Sequence, residues 1–102
     1  MKILILAALL FAVPATGSTP DAWAALEAKS AAACIKASGL ARSRVLPTTV
    51  RFSDALGIDA RLVTGTYRQP QMKGARGLML CAYDRRSGRV ETSDAAGWWT
   101  RR

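Results

Sequence analysis

The chain contains no histidine and no asparagine. Without histidine the commonest general base and transition-metal ligand is missing, and Ser-His and Cys-His catalytic pairs are excluded. Without asparagine there is no acceptor for N-linked glycosylation. Cysteine is limited to Cys34 and Cys81. They form no C-x-x-C turn for redox work, and a zinc site would need both thiolates plus two carboxylates. The phosphate-cradling glycine patterns are also absent. Acidic side chains number 7 against 15 basic ones, and only Glu27 and Glu91 are glutamates. A glycosidase-like carboxylate pair would have to draw on these or on Asp21, Asp54, Asp59, Asp84 and Asp94, which read as cap or turn residues. The expectation is a non-enzymatic protein with no cofactor and no metal.

What is present begins with Met1-Lys2 and an apolar run over 3–13, broken at Pro14 and followed by small residues. This is the pattern of a secretory leader, and it predicts a signal peptide at 1–17, cleaved after Ala15 or Gly17. Eleven apolar residues fall short of the roughly 20 that a membrane-spanning helix needs, so no transmembrane segment is expected after cleavage. An exported chain, periplasmic or secreted, meets an oxidising compartment. There Cys34 and Cys81 have one intramolecular pairing available. The remainder reads as a single domain at 18–97 with a basic tail at 98–102. A domain of this size draws little stability from a core alone, so a covalent staple has a clear use.

Ser18-Thr19-Pro20-Asp21 is a helix-start signal, with Thr19 as cap, Pro20 at the first position and Asp21 at the positive end of the dipole. The alanine-rich segment 20–38 ends at Gly39, a helix stop. Trp23, Leu26, Ser30, Ala33, Cys34 and Ala37 recur at helical spacing and form one stripe. A basic connection through Arg42 and Arg44 precedes a strand at 48–53, with Val50 and Phe52 on one side. A turn at 54–57 leads to strands at 59–69, 77–84 and 89–93, with a loop at 70–77. Asp84-Arg85-Arg86-Ser87-Gly88 is a hairpin signal. The expected fold is α+β: one N-terminal helix packed on a four-stranded antiparallel sheet, stapled by one disulfide.

If Cys81 faces the helix to reach Cys34, strand alternation turns Leu78, Leu80 and Ala82 to the opposite side. A sheet with a helix on one side only normally shows water a polar second face. The candidates for covering this apolar one are the 95–99 segment folding back, a second copy in a homodimer, or a partner protein in the envelope or outside the cell. Two further binding candidates stand out. Arg85, Arg86 and Arg89 at a hairpin tip could fork onto carboxylate or phosphate. Trp98 and Trp99 before a basic terminus suit a membrane interface or a protein hot spot.

The formal charge is +8, which favours anionic partners such as lipopolysaccharide, phospholipid or acidic polymers on an envelope surface. No helix carries a basic stripe, so nucleic acid is not expected. The functional expectation is a small exported binding module, an inhibitor or regulator of an envelope or secreted protein. The alternatives are a cationic protein on anionic lipid or polysaccharide and a structural homodimer.

The segment Leu80-Cys81-Ala82-Tyr83-Asp84-Arg85-Arg86-Ser87-Gly88-Arg89-Val90-Glu91 resembles the closing hairpin of PepSY-type domains, with an alanine-rich helix ahead of the sheet. The resemblance implies a non-catalytic module that inhibits or regulates peptidases at the cell envelope. The chain departs from that pattern in its cysteine pair and in lacking a clear second helix or repeat.

Overall fold

The computed structural model describes residues 19–98. The signal-peptide segment expected at 1–17, Trp99 and the end of the basic tail lie outside the described residues. Helix α1 spans Pro20–Ser38. Thr19 Oγ1 accepts from the Ala22 N–H at 3.0 Å, and Gly39 closes the helix at φ 70°, the left-handed region that favours glycine. Among the described residues no helix is long and apolar enough to cross a membrane.

Four strands follow as a meander in the order β1-β2-β3-β4: β1 Ala41–Arg51, β2 Ile58–Thr66, β3 Arg76–Asp84 and β4 Val90–Asp94. All neighbours are antiparallel. The architecture is therefore α+β, one helix on a four-stranded antiparallel sheet. The helix runs across one face only. Its N-terminal half meets β1, where Thr49 Oγ1 donates to Glu27 at 3.1 Å. Its C-terminal half meets β4, where Thr92 Oγ1 donates to the Ala37 carbonyl at 3.4 Å.

One expectation is corrected at β1. The basic connection is itself strand, beginning at Ala41. Register shifts between Ala41 and Arg44 and between Val45 and Thr49, with Arg42 at φ 48°, insert extra residues into the pairing. A bulge breaks the period of two by which a strand is recognised, and Pro47 in the second irregularity removes a ladder donor. The second strand also ends earlier than expected, at Thr66. The loop beyond it holds a short 3₁₀ turn at Pro70–Met72.

The disulfide joins Cys34 to Cys81 with Cα atoms 5.8 Å apart and closes a separation of 47 residues. Both cysteines are fully buried with Val63 and Tyr83, and Leu26, Ala33, Val45 and Val90 pack around them. This core is small for its sheet. Gly65 and Gly77 pair across β2 and β3 and leave a dent filled by Leu40. A Cβ on Gly77 would stand 2.7 Å from Leu40 Cδ2, and one on Gly65 2.7 Å from the Ala41 carbonyl oxygen.

Candidate functional site

The register decides what the helix-free face carries. Arg61 pairs with Cys81 and Leu62 with Leu80. Odd-numbered residues of β2 and β3 therefore meet the helix, and Ile58, Ala60, Leu62, Leu78, Leu80 and Ala82 point away from it. Val50 pairs with Ala60, so the apolar side of β1 joins them. Leu46 and Leu56 extend the rim, and these side chains, Leu78 apart, enclose an open groove of about 660 Å³. Val50, Phe52 and Leu56 are 53%, 45% and 54% exposed. Large apolar side chains left this open on one contiguous surface make this face the candidate site.

The chain folds back at the far edge of this groove. The Ala95 N–H donates to the Leu78 carbonyl at 2.8 Å, and the Trp98 N–H donates to the Ala95 carbonyl at 3.0 Å. The resulting 3₁₀ turn, Ala96–Trp98, stands Trp98 beside Leu80 at the groove wall. Trp98 is 69% exposed: it borders the face and does not cover it. Leu78 and Leu80 are half-buried on the same face.

The hairpin arginines have different fates. Arg85 is 11% exposed. Its Nη1 donates to Asp59 Oδ1 at 2.6 Å and the Ile58 carbonyl at 3.2 Å. Its Nη2 donates to the Phe52 and Ser53 carbonyls and to Asp54. Arg86 Nη1 donates to the Asp54 carbonyl at 2.8 Å, and its guanidinium lies against Gly57. Both forks hold the β1–β2 turn. Arg89 is exposed, without a side-chain hydrogen bond or ion pair among the described residues, beside Glu91 in a recess of about 220 Å³ that shares Ile58 and Ala82 with the groove. The hairpin itself is set by Asp84, whose carboxylate accepts from the Arg86 and Ser87 N–H groups at 2.8 and 3.2 Å. These bonds hold its pKa below the ordinary carboxylate value.

The sequence reading missed a buried charge network on the helix side. Asp59 is fully buried and no mere turn residue. It accepts from Arg51 at 3.0 and 3.1 Å as well as from Arg85. Arg51 also bridges to Glu27 and lies 4.5 Å over the Trp23 ring, a cation–π arrangement. Its hydrogen bonds to Asp59 raise its pKa above the ordinary value, against the effect of burial. Arg61 Nη1 donates to Ser30 Oγ at 2.8 Å and sits 3.1 Å from Glu27 Oε1. The carboxylates of this network are committed to guanidinium groups, which suits a clamp between helix and sheet. Among the described residues no cluster of metal-ligating side chains is present. The missed signal was the spacing of Asp59 and Arg61, two charges at alternate positions of a strand that point the same way.

No family model matches the chain, and no curated protein or solved structure matches it.

Proposed function

We propose that this protein is a small exported, non-catalytic binding module whose binding surface is the helix-free face of its sheet. The observation that carries the reading is the open apolar groove lined by Val50, Phe52, Leu62, Leu80 and Trp98. Its volume falls in the range of about 300–1,000 Å³ typical of ligand sites, which are likewise lined chiefly by apolar and aromatic side chains. Supporting a non-catalytic role, Asp59 and Glu27 are tied to arginines, Asp84 and Asp94 cap turns, and both cysteines are in the disulfide. The disulfide is consistent with an oxidising compartment, and the apolar run at 3–13 supports export. Any partner is met on the sheet, away from the hairpin tip.

The test is uptake of a neutral apolar dye, N-phenylnaphthylamine, followed by its fluorescence. The purified protein should bind it saturably. Leu80→Asp should abolish uptake, and Ala82→Trp, which fills the groove without adding charge, should weaken it. A dye that stays in water with wild type, or binds all three proteins alike, would sink the reading.

A further inference from the structure

Charge is distributed unevenly along this molecule, and the Leu62–Leu80 row closes the groove on the side of its acid-free end. No acidic residue occurs between Ala28 and Ser53 or between Ala60 and Tyr83. The end of the sheet farthest from the hairpin therefore gathers Arg42, Arg44, Arg68, Lys73 and Arg76. Two of these lie on the helix-free face by register. Arg44 pairs with Thr64, which pairs in turn with Leu78, so it sits one row beyond the Leu62–Leu80 floor of the groove. Arg76 pairs with Thr66, one row further. At about 3.3 Å per residue these rows lie roughly 7 and 13 Å from the floor. Both arginines are exposed, and neither forms an ion pair among the described residues.

We propose that the groove takes a single-chain anionic amphiphile, with its aliphatic chain on the Leu62–Leu80 floor and its acid group against Arg44 and Arg76. This rests on the binding reading above and names the ligand class of the same site. An aliphatic chain needs no hydrogen bonds and matches a wall built of Leu46, Val50, Phe52, Ala82 and Trp98. A carboxylate or phosphate head matches the arginine forks at the end of that wall. A flat bilayer meets the rim, at Leu56 and Trp98, and leaves the recessed floor unfilled. A second copy would bring a molecule of charge +8 against another of the same charge.

Displacement of N-phenylnaphthylamine by three twelve-carbon compounds tests this, each used below its self-association concentration. They are laurate, dodecanol and dodecylammonium. Laurate should displace the dye at about tenfold lower concentration than dodecylammonium at low salt, the preference shrinking as salt is added. The double variant Arg44→Glu/Arg76→Glu should lose about tenfold for laurate, while its unchanged displacement by dodecanol reports an intact groove. Arg44→Lys/Arg76→Lys should keep most of the laurate preference. Equal displacement by all three compounds, from a protein that binds the dye saturably without them, overturns the amphiphile and leaves the binding module standing. So does a laurate preference that survives the double Glu variant. Binding to phosphatidylglycerol vesicles without displacement by laurate would assign the face to a membrane surface. Light scattering that shows a dimer unaffected by laurate would assign it to a second copy. A protein that takes up no dye removes both readings.

Discussion

Arg85 Nη1 lies 2.6 Å from Asp59 Oδ1, inside the molecule. The contact joins the β3–β4 hairpin to the start of β2, and Arg51 completes the cage around the same carboxylate. A buried carboxylate of this kind is held by its partners, and its removal takes a buried counterion from both guanidinium groups at once.

The first prediction follows from this cage. Asp59→Ala should lower stability by about 3 kcal/mol, since Arg51 and Arg85 both lose their buried counterion and keep only the more exposed Glu27 and Asp54. Arg85→Ala should cost less, because Arg51 still satisfies Asp59. Urea unfolding of the two single variants and the double variant should give a coupling of about 1–3 kcal/mol. Additive losses would mean that Arg85 acts only through the turn carbonyls.

The disulfide yields a second prediction. A closed separation of 47 residues corresponds to about 4 kcal/mol in the chain-entropy account. Cys34→Ala/Cys81→Ala should therefore shift the urea midpoint sharply downward, by about 2–5 kcal/mol of stability. An unchanged midpoint would show that the small core suffices without it.

The paired glycines make a third. Gly65→Ala drives a Cβ against a backbone carbonyl, whereas Gly77→Ala meets side chains alone, the end of Leu40 and the edge of the Tyr67 ring. The first should cost about 2–3 kcal/mol and the second about 1 kcal/mol, as backbone yields less readily than a rotamer. Thermal unfolding of the two variants checks the order.

Asp84 gives a pH dependence. Its folded pKa lies below its ordinary value of 3.8. The stabilisation from its hydrogen bonds is therefore fully present above the ordinary value and is lost as pH falls through the lowered folded value. Asp84→Ala should melt earlier than wild type at about pH 7, and the difference should narrow as pH falls below the ordinary carboxylate value. A gap that persists in acid would assign the effect to backbone propensity and not to the carboxylate.

Some elements were legible because their signals are local. Thr19, Pro20 and Gly39 sit next to the groups they satisfy, and helix α1 has the bounds that those residues mark. The Asp84–Gly88 turn was legible for the same reason. Strand β1 was not, because its bulges and Pro47 erase the alternation over its first half. Asp59 reads from its neighbours as a cap or turn residue and Arg85 as a binding candidate at a hairpin tip, since nothing near either announces a carboxylate and a guanidinium 26 positions apart meeting in the interior.

By itself the sequence determined one helix, four strands, the single pairing available to Cys34 and Cys81, and the side of β3 left without a helix. These follow from caps, turn chemistry, alternation and a count of two thiols. Only the tertiary structure decided that Leu46, Val50, Phe52 and Leu62 join Leu80 in one groove, that Trp98 borders it, and that Arg85 and Arg86 are spent on the β1–β2 turn while Arg44 and Arg76 stay open. The reason is register. Which residues stand opposite one another across strands depends on bulges and on contacts between segments distant in the chain, and a shift of one residue would send each of these side chains to the other face.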